Sequence, residues 1–537
     1  MQLPVDPLHW ALALLPIVLL FVLLAAFRWK GVEAGPVGMF AAAAIALVAF
    51  RTPWHTLAVA SGKGVWDALF ILYVIWPSLL FYQITRRAGA FDALRQGLMR
   101  FSQNEFFLVL AFGWVFNSFL QGVAGFGTPI AIVAPLLIAL GVAPLYAVAI
   151  PLIGSAWGHL FGTLAASWFT LLRVTGLTDP GPTALQAAIL LCIPVFGAGA
   201  GIAWMYGRGP VLRKSWPLLA IGSVLMGGGQ ILVTLWDPAL AAFLPSFVAL
   251  LALYPLSRWK RFARPFEGLG PSPIMRRRQP QEGAAAPAMG LGMALFPYLV
   301  LTLVAVLVSA YPPLHAFFKG LQFGFSFPSV GTGFGLVTAG AAPYSPFSPF
   351  AHPGAYLLVT SGLSYAVYRR CGYYAAEHGR EGLFRSLTRE AVPTSVAVIS
   401  FLVTSCVMSH SGQTEVLALG ISQVASPPVY AFTSGWLGVL GAFMTSSTTA
   451  SNALFGALQM RVAHLEGLPV STVLAAHCTG SAIGNAIAPA DVVLGTATAG
   501  NAGDEGEVLR KTIPWTLVMG LLCGAGSLLL AALRPAL

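Results

Sequence analysis

Long apolar runs recur along the whole chain of 537 residues, and short polar connections separate them. A run of about 20 apolar residues is long enough to cross the hydrocarbon core of a bilayer as a helix. Only 9% of the residues are charged, whereas soluble domains average about 25%. No segment of about ten residues with alternating polarity recurs, so an outer-membrane barrel is not indicated. The sequence therefore predicts an all-α, polytopic transmembrane helical bundle.

Basic residues cluster in four of the connections and predict the orientation of the chain. By the positive-inside rule, these connections lie in the cytoplasm. Because the basic residues are spread over short loops and form no single stripe, the net charge of +11 does not indicate nucleic-acid binding. Residues 257–290 are basic, rich in proline and without an apolar run. We interpret them as a cytoplasmic linker between an N-terminal half, 1–256, and a C-terminal half, 291–537.

Each half contains a long apolar region between two basic loops. The positions of these loops do not fit a simple series of complete crossings. Between the basic loops, each half has room for one broken helix that crosses the membrane and one hairpin that enters and returns. We expect the broken helices at 106–140 and 427–460, and the hairpins at 145–172 and 471–500. The two halves would then have opposite orientations.

A short repeated motif supports this symmetry. Gly154–His159 reads GSAWGH, and Gly480–Asn485 reads GSAIGN at an offset of 326 residues. Each copy falls in the expected hairpin of its half, and the pattern favours an inverted-topology repeat of the kind found in transporters. Ser155, His159, Ser481 and Asn485 are then expected to line the hairpins.

Two interrupted segments are the best candidates for a binding site, because unwound backbone in a membrane survives only beside protein or a water-filled cavity. The first, 121–129, contains three glycines and ends in a proline that suits the start of a helix. The second, 445–452, has six hydroxyl side chains and one amide. The alternatives are a packing kink for the first and hydroxyls bonded to their own helix for the second. The candidate substrate-binding residues are Gln121, Gly125, Gly127, Thr128, Ser447, Thr448, Thr449, Ser451 and Asn452.

Ionisable residues inside apolar runs are functional candidates by default. The chain has five of them: His159, His410, Glu415, His477 and Asp491. His410 and Glu415 flank a glycine-containing break and could form a protonatable pair that couples ion movement, although each could equally be a satisfied or interfacial residue. Asp67 lies close to the expected outer edge and is left out of this set.

The sequence gives no sign of an enzyme or of a resident cofactor. It contains no HExxH, CxxC or P-loop motif and no GxSxG at a strand-to-helix turn. Its five cysteines have neither a disulfide framework nor metal-ligand spacing. We therefore expect no catalytic residues, no metal and no cofactor other than a cotransported H⁺ or Na⁺.

At these same segments the sequence resembles the lactate permease family, whose members carry lactate and glycolate across bacterial cytoplasmic membranes, with protons in the characterised cases. The resemblance is strongest in GVAGFGTPIAI (122–132), GWLGVLGAFMTSSTTASNALFGALQ (435–459) and GNAIAPADVVLGTATAGNAGDEGEVLRKT (484–512). It implies an ion-transporter fold with twelve to fourteen spans and a short 2-hydroxy monocarboxylate as substrate.

The chain departs from the family pattern at charged or titratable positions. Gln121 stands where the family has Glu, and Thr448 stands where it has Asp. His410 and Gln413 replace the expected Arg and His. These changes bear on the substrate and on the coupling ion.

The expected function is secondary transport of lactate or glycolate across the bacterial cytoplasmic membrane by alternating access, with H⁺ favoured as the coupling ion. The alternatives are a transporter or channel for another organic anion, coupled to Na⁺ or uncoupled, and, at the lowest rank, an intramembrane enzyme. The expected partners are a small organic anion and the lipid bilayer, with no nucleic acid; a homodimer is left open.

Overall fold

The computed structural model describes residues 3–100, 102–125, 127–266, 272–276, 289–374 and 382–533, and helices make up nearly all of its regular structure. Nine helical stretches of these residues are long and apolar enough to cross a membrane. The prediction of an all-α polytopic membrane protein is confirmed. The predicted linker 257–290 is described only at 257–266, 272–276 and 289–290.

The described residues of the first half and the start of the linker form thirteen α-helices. In chain order they are α1 (Pro7–Phe21), α2 (Gly31–Val48), α3 (Trp54–Arg87), α4 (Ala90–Met99), α5 (Glu105–Leu110), α6 (Asn117–Val123), α7 (Thr128–Ala139), α8 (Pro144–Gly154), α9 (Gly162–Thr175), α10 (Gly181–Ser223), α11 (Gly229–Thr234), α12 (Phe243–Arg258) and α13 (Lys260–Ala263). Segments of π-helix extend α1, join α5 to α6 and join α10 to α11. A sharp bend at Gly207 and Arg208 divides α10 into two crossings.

The described residues of the second half form ten α-helices and a small two-stranded sheet. They are α14 (Leu291–Ala310), α15 (Pro312–Gly320), β1 (Val330–Gly331), β2 (Val337–Thr338), α16 (Pro353–Arg370), α17 (Leu383–Ser411), α18 (Gln413–Ser422), α19 (Pro427–Thr445), α20 (Thr448–Leu465), α21 (Val470–Gly484), α22 (Pro489–Thr498) and α23 (Glu505–Ala532). The strands are antiparallel, and Val330 pairs with Thr338.

The basic connections gather at one end of the bundle, which we call the basic end. Asn104 Nδ2 donates to the Arg264 carbonyl at 2.9 Å, and Arg261 Nε donates to the Lys214 carbonyl at 3.0 Å. Arg87 donates to Ser386 Oγ at 2.6 Å. The segment between α14 and α16, with its small sheet, lies at the opposite end.

The first hairpin is α5–α7, residues 105–139, and not the predicted 145–172. It begins at Asn104 beside Arg264, and it ends at Gly141, whose carbonyl accepts from Arg276 N at 2.7 Å. Both of its ends therefore lie at the basic end. The chain reverses in the break after Val123, where Gly127 has a φ of 77° that favours glycine.

The first interrupted crossing is α8–α9, residues 144–175, where the sequence predicted a hairpin. It starts at Ala143, which donates to the Ile274 carbonyl at the basic end at 2.8 Å. It finishes near Arg173, which donates to the Ser345 carbonyl at the opposite end at 2.8 Å. The break in its middle shifts the helix axis without reversing the chain.

The second half shows the same exchange of roles. Its hairpin is α19–α20, residues 427–465, because the two arms run antiparallel: Tyr430 donates to Gln459 Oε1 at 2.7 Å, and Ser451 donates to the Gly438 carbonyl at 3.3 Å. Its interrupted crossing is α21–α22, residues 470–498. The predicted broken helix 427–460 and hairpin 471–500 are therefore interchanged as well.

The two halves contain matching series of elements. A long helix (α3 or α17), a short helix (α4 or α18), a hairpin, an interrupted crossing and a further crossing (the first part of α10, or α23) follow one another in each. The long helices α3 and α17 pack antiparallel, since Gln83 donates to Glu390 at one end and Lys63 lies against His410 at the other. This order does not conflict with the inverted-repeat hypothesis, which stays a prediction.

The repeated GSA motif occupies equivalent positions in both halves. The first copy starts at Gly154, the last residue of α8, and the second copy starts at Gly480, in the last turns of α21. A Cβ at Gly154 would lie 1.9 Å from the Gly113 carbonyl oxygen, and a Cβ at Gly480 would lie 1.8 Å from that of Gly435. Each crossing therefore packs backbone to backbone against the first arm of the hairpin in its own half.

Candidate functional site

The two hairpins end in tips that lie inside the bundle. We define the first tip by residues 124, 125, 127 and 128, and the second tip by residues 445–449. Thr128 is 7% exposed and Asn452, one turn beyond the second tip, is fully buried. Neither tip therefore lies on the exterior of the bundle.

The first tip contacts the interrupted crossings of both halves. Gly125 N donates to Thr163 Oγ1, in the first crossing, at 3.0 Å. On its other side, a Cβ at Gly127 would lie 3.3 Å from Asp491 Oδ1 and 2.5 Å from Leu494, in the second crossing. Gly125 and Gly127 thus allow a close approach that larger residues would block.

The second tip contacts the same two crossings. Ala490 N donates to Ser446 Oγ at 3.1 Å, and the Asn485 amide donates to Thr448 Oγ1. Thr448 in turn donates to the Ser481 carbonyl at 3.4 Å. These bonds join the second tip to the crossing of its own half.

The second tip and the helix that follows it are joined to the first half through Ser167. The hydroxyls of Ser167 and Thr449 lie 2.9 Å apart, and Asn452 Nδ2 donates to the Ser167 carbonyl at 2.9 Å. Thr163 and Ser167 are one turn apart on α9, so the two tips bind neighbouring positions of one helix. Tips and crossings therefore form a closed ring of four segments, which we call the tip ring.

Eight helix ends meet at the tip ring. The helices α7, α20, α22 and the right-handed part of α9 begin there, whereas α6, α8, α19 and α21 end there. Free backbone N–H groups at helix starts favour anions, and free carbonyls at helix ends favour cations. The ring can therefore present both kinds of group to a small organic anion and a cation.

The predicted substrate residues lie in or beside the ring, but several hydroxyls are already engaged. Ser447 caps α20 by accepting from Ala450 N, and Ser451 donates to Gly438. Gln121 is 4% exposed and packs under the first tip, beside Gly158 and Gly162. The Ser481 hydroxyl is buried and has no hydrogen-bond partner among the residues that the structure describes.

The remaining hairpin-lining candidates, Ser155 and His159, are bonded to their own segment of the chain. Ser155 Oγ donates to the Pro151 carbonyl at 3.0 Å, and His159 Nδ1 contacts the carbonyls of Ser155 and Ala156. Both sit in the break of the first crossing, whereas in the second crossing Ser481 lies within α21 and Asn485 directly follows that helix.

The proposed coupling pair has separate partners in the structure. His410 Nε2 lies 3.2 Å from Lys63 Nζ, and His410 Nδ1 lies 2.8 Å from the Cys406 carbonyl. Glu415 forms an ion pair with Arg461 near the opposite end, where the Arg461 side chain is 42% exposed. The two residues therefore belong to different local networks.

Sequence reasoning assigned no role at the site to several residues that the structure brings together. Thr163, Ser167 and Ser446 complete the tip ring, and Asp491 stands beside the first tip without a hydrogen bond or ion pair to any residue within the described ranges. Thr163 and Ser167 carry no sequence signal in so apolar a chain, whereas Ser446 belongs to the hydroxyl-rich segment 445–452 that the sequence predicts as part of the site. Asp491 also carries a sequence signal, because a carboxylate between two apolar runs is rare.

Comparison with known proteins identifies relatives over nearly the whole chain. Residues 10–534 match the family model described as L-lactate permease. The glycolate permease GlcA of Escherichia coli is 28% identical over 97% of this chain and 95% of its own length. L-lactate permeases of Salmonella typhimurium and Bacillus subtilis are 29% and 28% identical, over 96% and 95% of this chain and 94% and 93% of theirs.

Proposed function

The chain belongs to the L-lactate permease family, and from that membership we propose that it carries small 2-hydroxy monocarboxylates, such as lactate and glycolate, across the bacterial cytoplasmic membrane by cation-coupled secondary transport. The family is one of transporters and not of enzymes, and the chain is an integral membrane protein. The tip ring is the observation that carries the proposal.

The substrate carboxylate binds the helix starts of the tip ring. The N–H groups at the starts of α7, α20 and α22 offer a positive partial charge, and the glycines of the first tip leave room for a close approach. The 2-hydroxyl of the substrate binds on the side of Ser447, Thr449 and Asn452, with the Ser481 hydroxyl as a further partner. Such a site favours an acid that has a hydroxyl next to its carboxylate.

We propose that the protein works by alternating access, and the way the tips are held supports this. Each tip approaches the ring from a different end of the bundle and is fixed to the crossings by hydrogen bonds of ordinary length. A displacement of one hairpin opens the ring toward one end while the other tip keeps it closed. The matching elements of the two halves provide the two opposite openings.

A coupled cation is needed for accumulation. An inside-negative potential opposes entry of a monovalent anion by about 2.3 kcal/mol per 100 mV. Because Gln121 and Thr448 cannot carry a proton, we propose H⁺ coupling through Asp491, the carboxylate beside the first tip. His410 and Glu415 stay as the alternative carriers, and Na⁺ held by carbonyls of the ring is the alternative ion.

The test is transport by the purified protein in proteoliposomes. We expect saturable uptake and counterflow with lactate and glycolate, weaker transport of pyruvate, and little transport of dicarboxylates. A pore would show no counterflow. Uptake without saturation or counterflow would overturn the proposal of a transporter mechanism.

The coupling ion is tested with a pH-sensitive dye in the same vesicles. We expect lactate uptake to acidify the lumen, and Asp491→Asn to abolish this signal while counterflow continues. Asp504→Asn, which removes an exposed carboxylate at the start of α23, is the matched control and should behave like the wild type. If the signal is lost in His410→Ala or Glu415→Gln but not in Asp491→Asn, the proton carrier is in the sequence-predicted pair and not Asp491. Uptake that follows Na⁺ and ignores pH would exclude H⁺ coupling.

A further inference from the structure

A group of buried charged side chains lies between the tip ring and the end opposite the basic end. Lys63 and Asp67 on α3 are 3% and 0% exposed, and the side chain of Arg173 on α9 is 9% exposed. His410 on α17 and Tyr344, from the segment before α16, complete the group, which we call the outer cluster. From the sequence, Asp67 is expected close to the outer edge, and Lys63 and Arg173 have no predicted role.

The single carboxylate of the outer cluster is fully engaged. Tyr344 donates its hydroxyl proton to Asp67 Oδ2 at 2.8 Å, and Arg173 Nη1 lies 3.4 Å from Asp67 Oδ1. Arg173 also donates to the Ser345 carbonyl at 2.8 Å, and its guanidinium lies 3.7 Å from the centre of the Phe70 ring. Asp67 and Arg173 thus neutralise each other.

Among the described residues, the group within hydrogen-bond distance of the Lys63 ammonium is neutral, and Asp67, one turn along the same helix, acts on it only at longer range. The ammonium lies 3.2 Å from His410 Nε2 and 5.1 Å from the centre of the Tyr344 ring. His410 is held as a neutral acceptor, because its Nδ1 donates to the Cys406 carbonyl and its Nε2 faces the ammonium. Within the described parts of the chain, no carboxylate lies within 4.0 Å of Lys63.

The outer cluster therefore has an uncompensated positive charge. Lys63 and Arg173 contribute two positive charges, and Asp67 contributes one negative charge. A buried charge without a partner costs several kcal/mol, so such a charge inside a membrane protein usually serves a ligand. A bound anion with a single negative charge would make the outer cluster electrically neutral.

The position of the outer cluster relates it to the tip ring. Ser167, which binds the second tip, and Arg173 lie six residues apart on α9, about 9 Å along the helix axis at 1.5 Å per residue. An anion that enters from this end meets the outer cluster before it reaches the ring.

We propose that Lys63 and Arg173 form a second binding site, which holds the carboxylate of the transported acid on its way between the tip ring and the end opposite the basic end. The proposal rests on the proposed function, because the occupant is the substrate itself. Lys63 supplies free N–H donors, and Arg173 adds positive charge while it stays anchored to Asp67. The site selects for one negative charge and needs no contact with the 2-hydroxyl.

The test compares Lys63→Met with Lys319→Met in proteoliposomes. Lys319 is an exposed lysine on α15, at the same end of the bundle, and controls for the general loss of one surface charge. We expect Lys63→Met to raise the KM for lactate about tenfold or more, the size of one lost charge-assisted hydrogen bond. The maximal rate should change less than twofold. Lys63→Arg should restore most of the affinity, and Lys319→Met should match the wild type.

A stability measurement separates a ligand site from a structural role. If Lys63 serves the substrate, Lys63→Met unfolds at the same temperature as the wild type or higher without lactate, and loses the upward shift that lactate produces. If it only stabilises the fold, the variant unfolds at a lower temperature and keeps its KM, and the second site is overturned. A wild-type protein that transports none of the acids would overturn the proposed function, whereas normal transport with an unchanged KM in Lys63→Met would overturn the second site alone.

Discussion

Three consecutive residues in the break of the first crossing adopt left-handed backbone conformations. Thr163, Leu164 and Ala165 have φ angles of 50°, 48° and 63°. For residues other than glycine, this conformation costs about 1–2 kcal/mol each. The hydrogen bond from Gly125 to the Thr163 hydroxyl and complete burial of Leu164 offset part of that cost. The break is thus a strained segment at the centre of the proposed site.

A glycine in this segment should relieve the strain. We expect Ala165→Gly to raise the temperature of thermal unfolding in detergent, because glycine adopts a positive φ without a Cβ clash. Ala166→Gly, one residue along and in right-handed helix, is the control and should lower it, since glycine costs about 1 kcal/mol in a helix interior. A decrease for Ala165→Gly equal to that of Ala166→Gly would contradict the strained conformation.

At the scale of single residues, sequence reasoning found the interrupted segments but missed the outer cluster. From hydropathy, Asp67 is expected close to the outer edge, and Lys63 has no predicted role. The structure extends α3 from Trp54 to Arg87, and both residues are buried inside the bundle. Their partners come from distant parts of the chain, and hydropathy contains no information about such pairing.

At the scale of elements, the sequence predicted the number of hairpins and crossings but interchanged them. The basic loops determine only on which side of the membrane the chain lies before and after the two segments of each half. A hairpin followed by a crossing and a crossing followed by a hairpin give the same two sides. Glycine and proline suit both kinds of break. The contacts that decide the matter, Asn104 with Arg264 and Gly141 with Arg276, join segments more than 130 residues apart.

The glycine contacts between each crossing and its hairpin should be intolerant of a side chain. We expect Gly480→Ala to lower the unfolding temperature and the yield of folded protein, because its Cβ would overlap the Gly435 carbonyl, and overpacking costs about 1–3 kcal/mol. Gly154→Ala should act in the same way. Gly362→Ala on α16 is the control, since no heavy atom lies within 4 Å of its added Cβ, and it should leave stability unchanged or raise it. Equal effects at Gly480 and Gly362 would argue against the close packing.

At the scale of the whole molecule, composition and apolar runs correctly predicted the all-α membrane fold, whereas the division into two inverted halves, inferred from charge and the GSA motif, stays a prediction. The tip ring could not be derived in the same way. It depends on which crossing each tip contacts, and the bonds of Ser167 with Thr449 and Asn452 link the two halves through side chains that sequence reasoning had no means to pair.

The orientation of the molecule can be tested with its own cysteine. Cys371 is exposed at the basic end, whereas Cys406, Cys478 and Cys523 are buried and Cys192 is partly buried. We expect a membrane-impermeant maleimide to leave Cys371 unlabelled in intact cells and to label it in inside-out vesicles. In a Cys371→Ser background, Val424→Cys at the opposite end should show the reverse pattern. Labelling of Cys371 from outside the cell would invert the predicted orientation.

The tip ring also affects how far the protein allows ions to leak across the membrane. Moving the second tip breaks hydrogen bonds to crossings of both halves, and moving the first tip breaks its hydrogen bond to α9 and its packing against α22, so opening one face also weakens contacts that keep the other face closed. In an empty carrier no new interaction replaces the contacts that are lost when a tip moves. In a carrier that holds an anion and a cation, the bound ions provide such interactions. The architecture thereby discourages futile cycling, in which ions would slip through without cargo and run down the potential on which uptake depends.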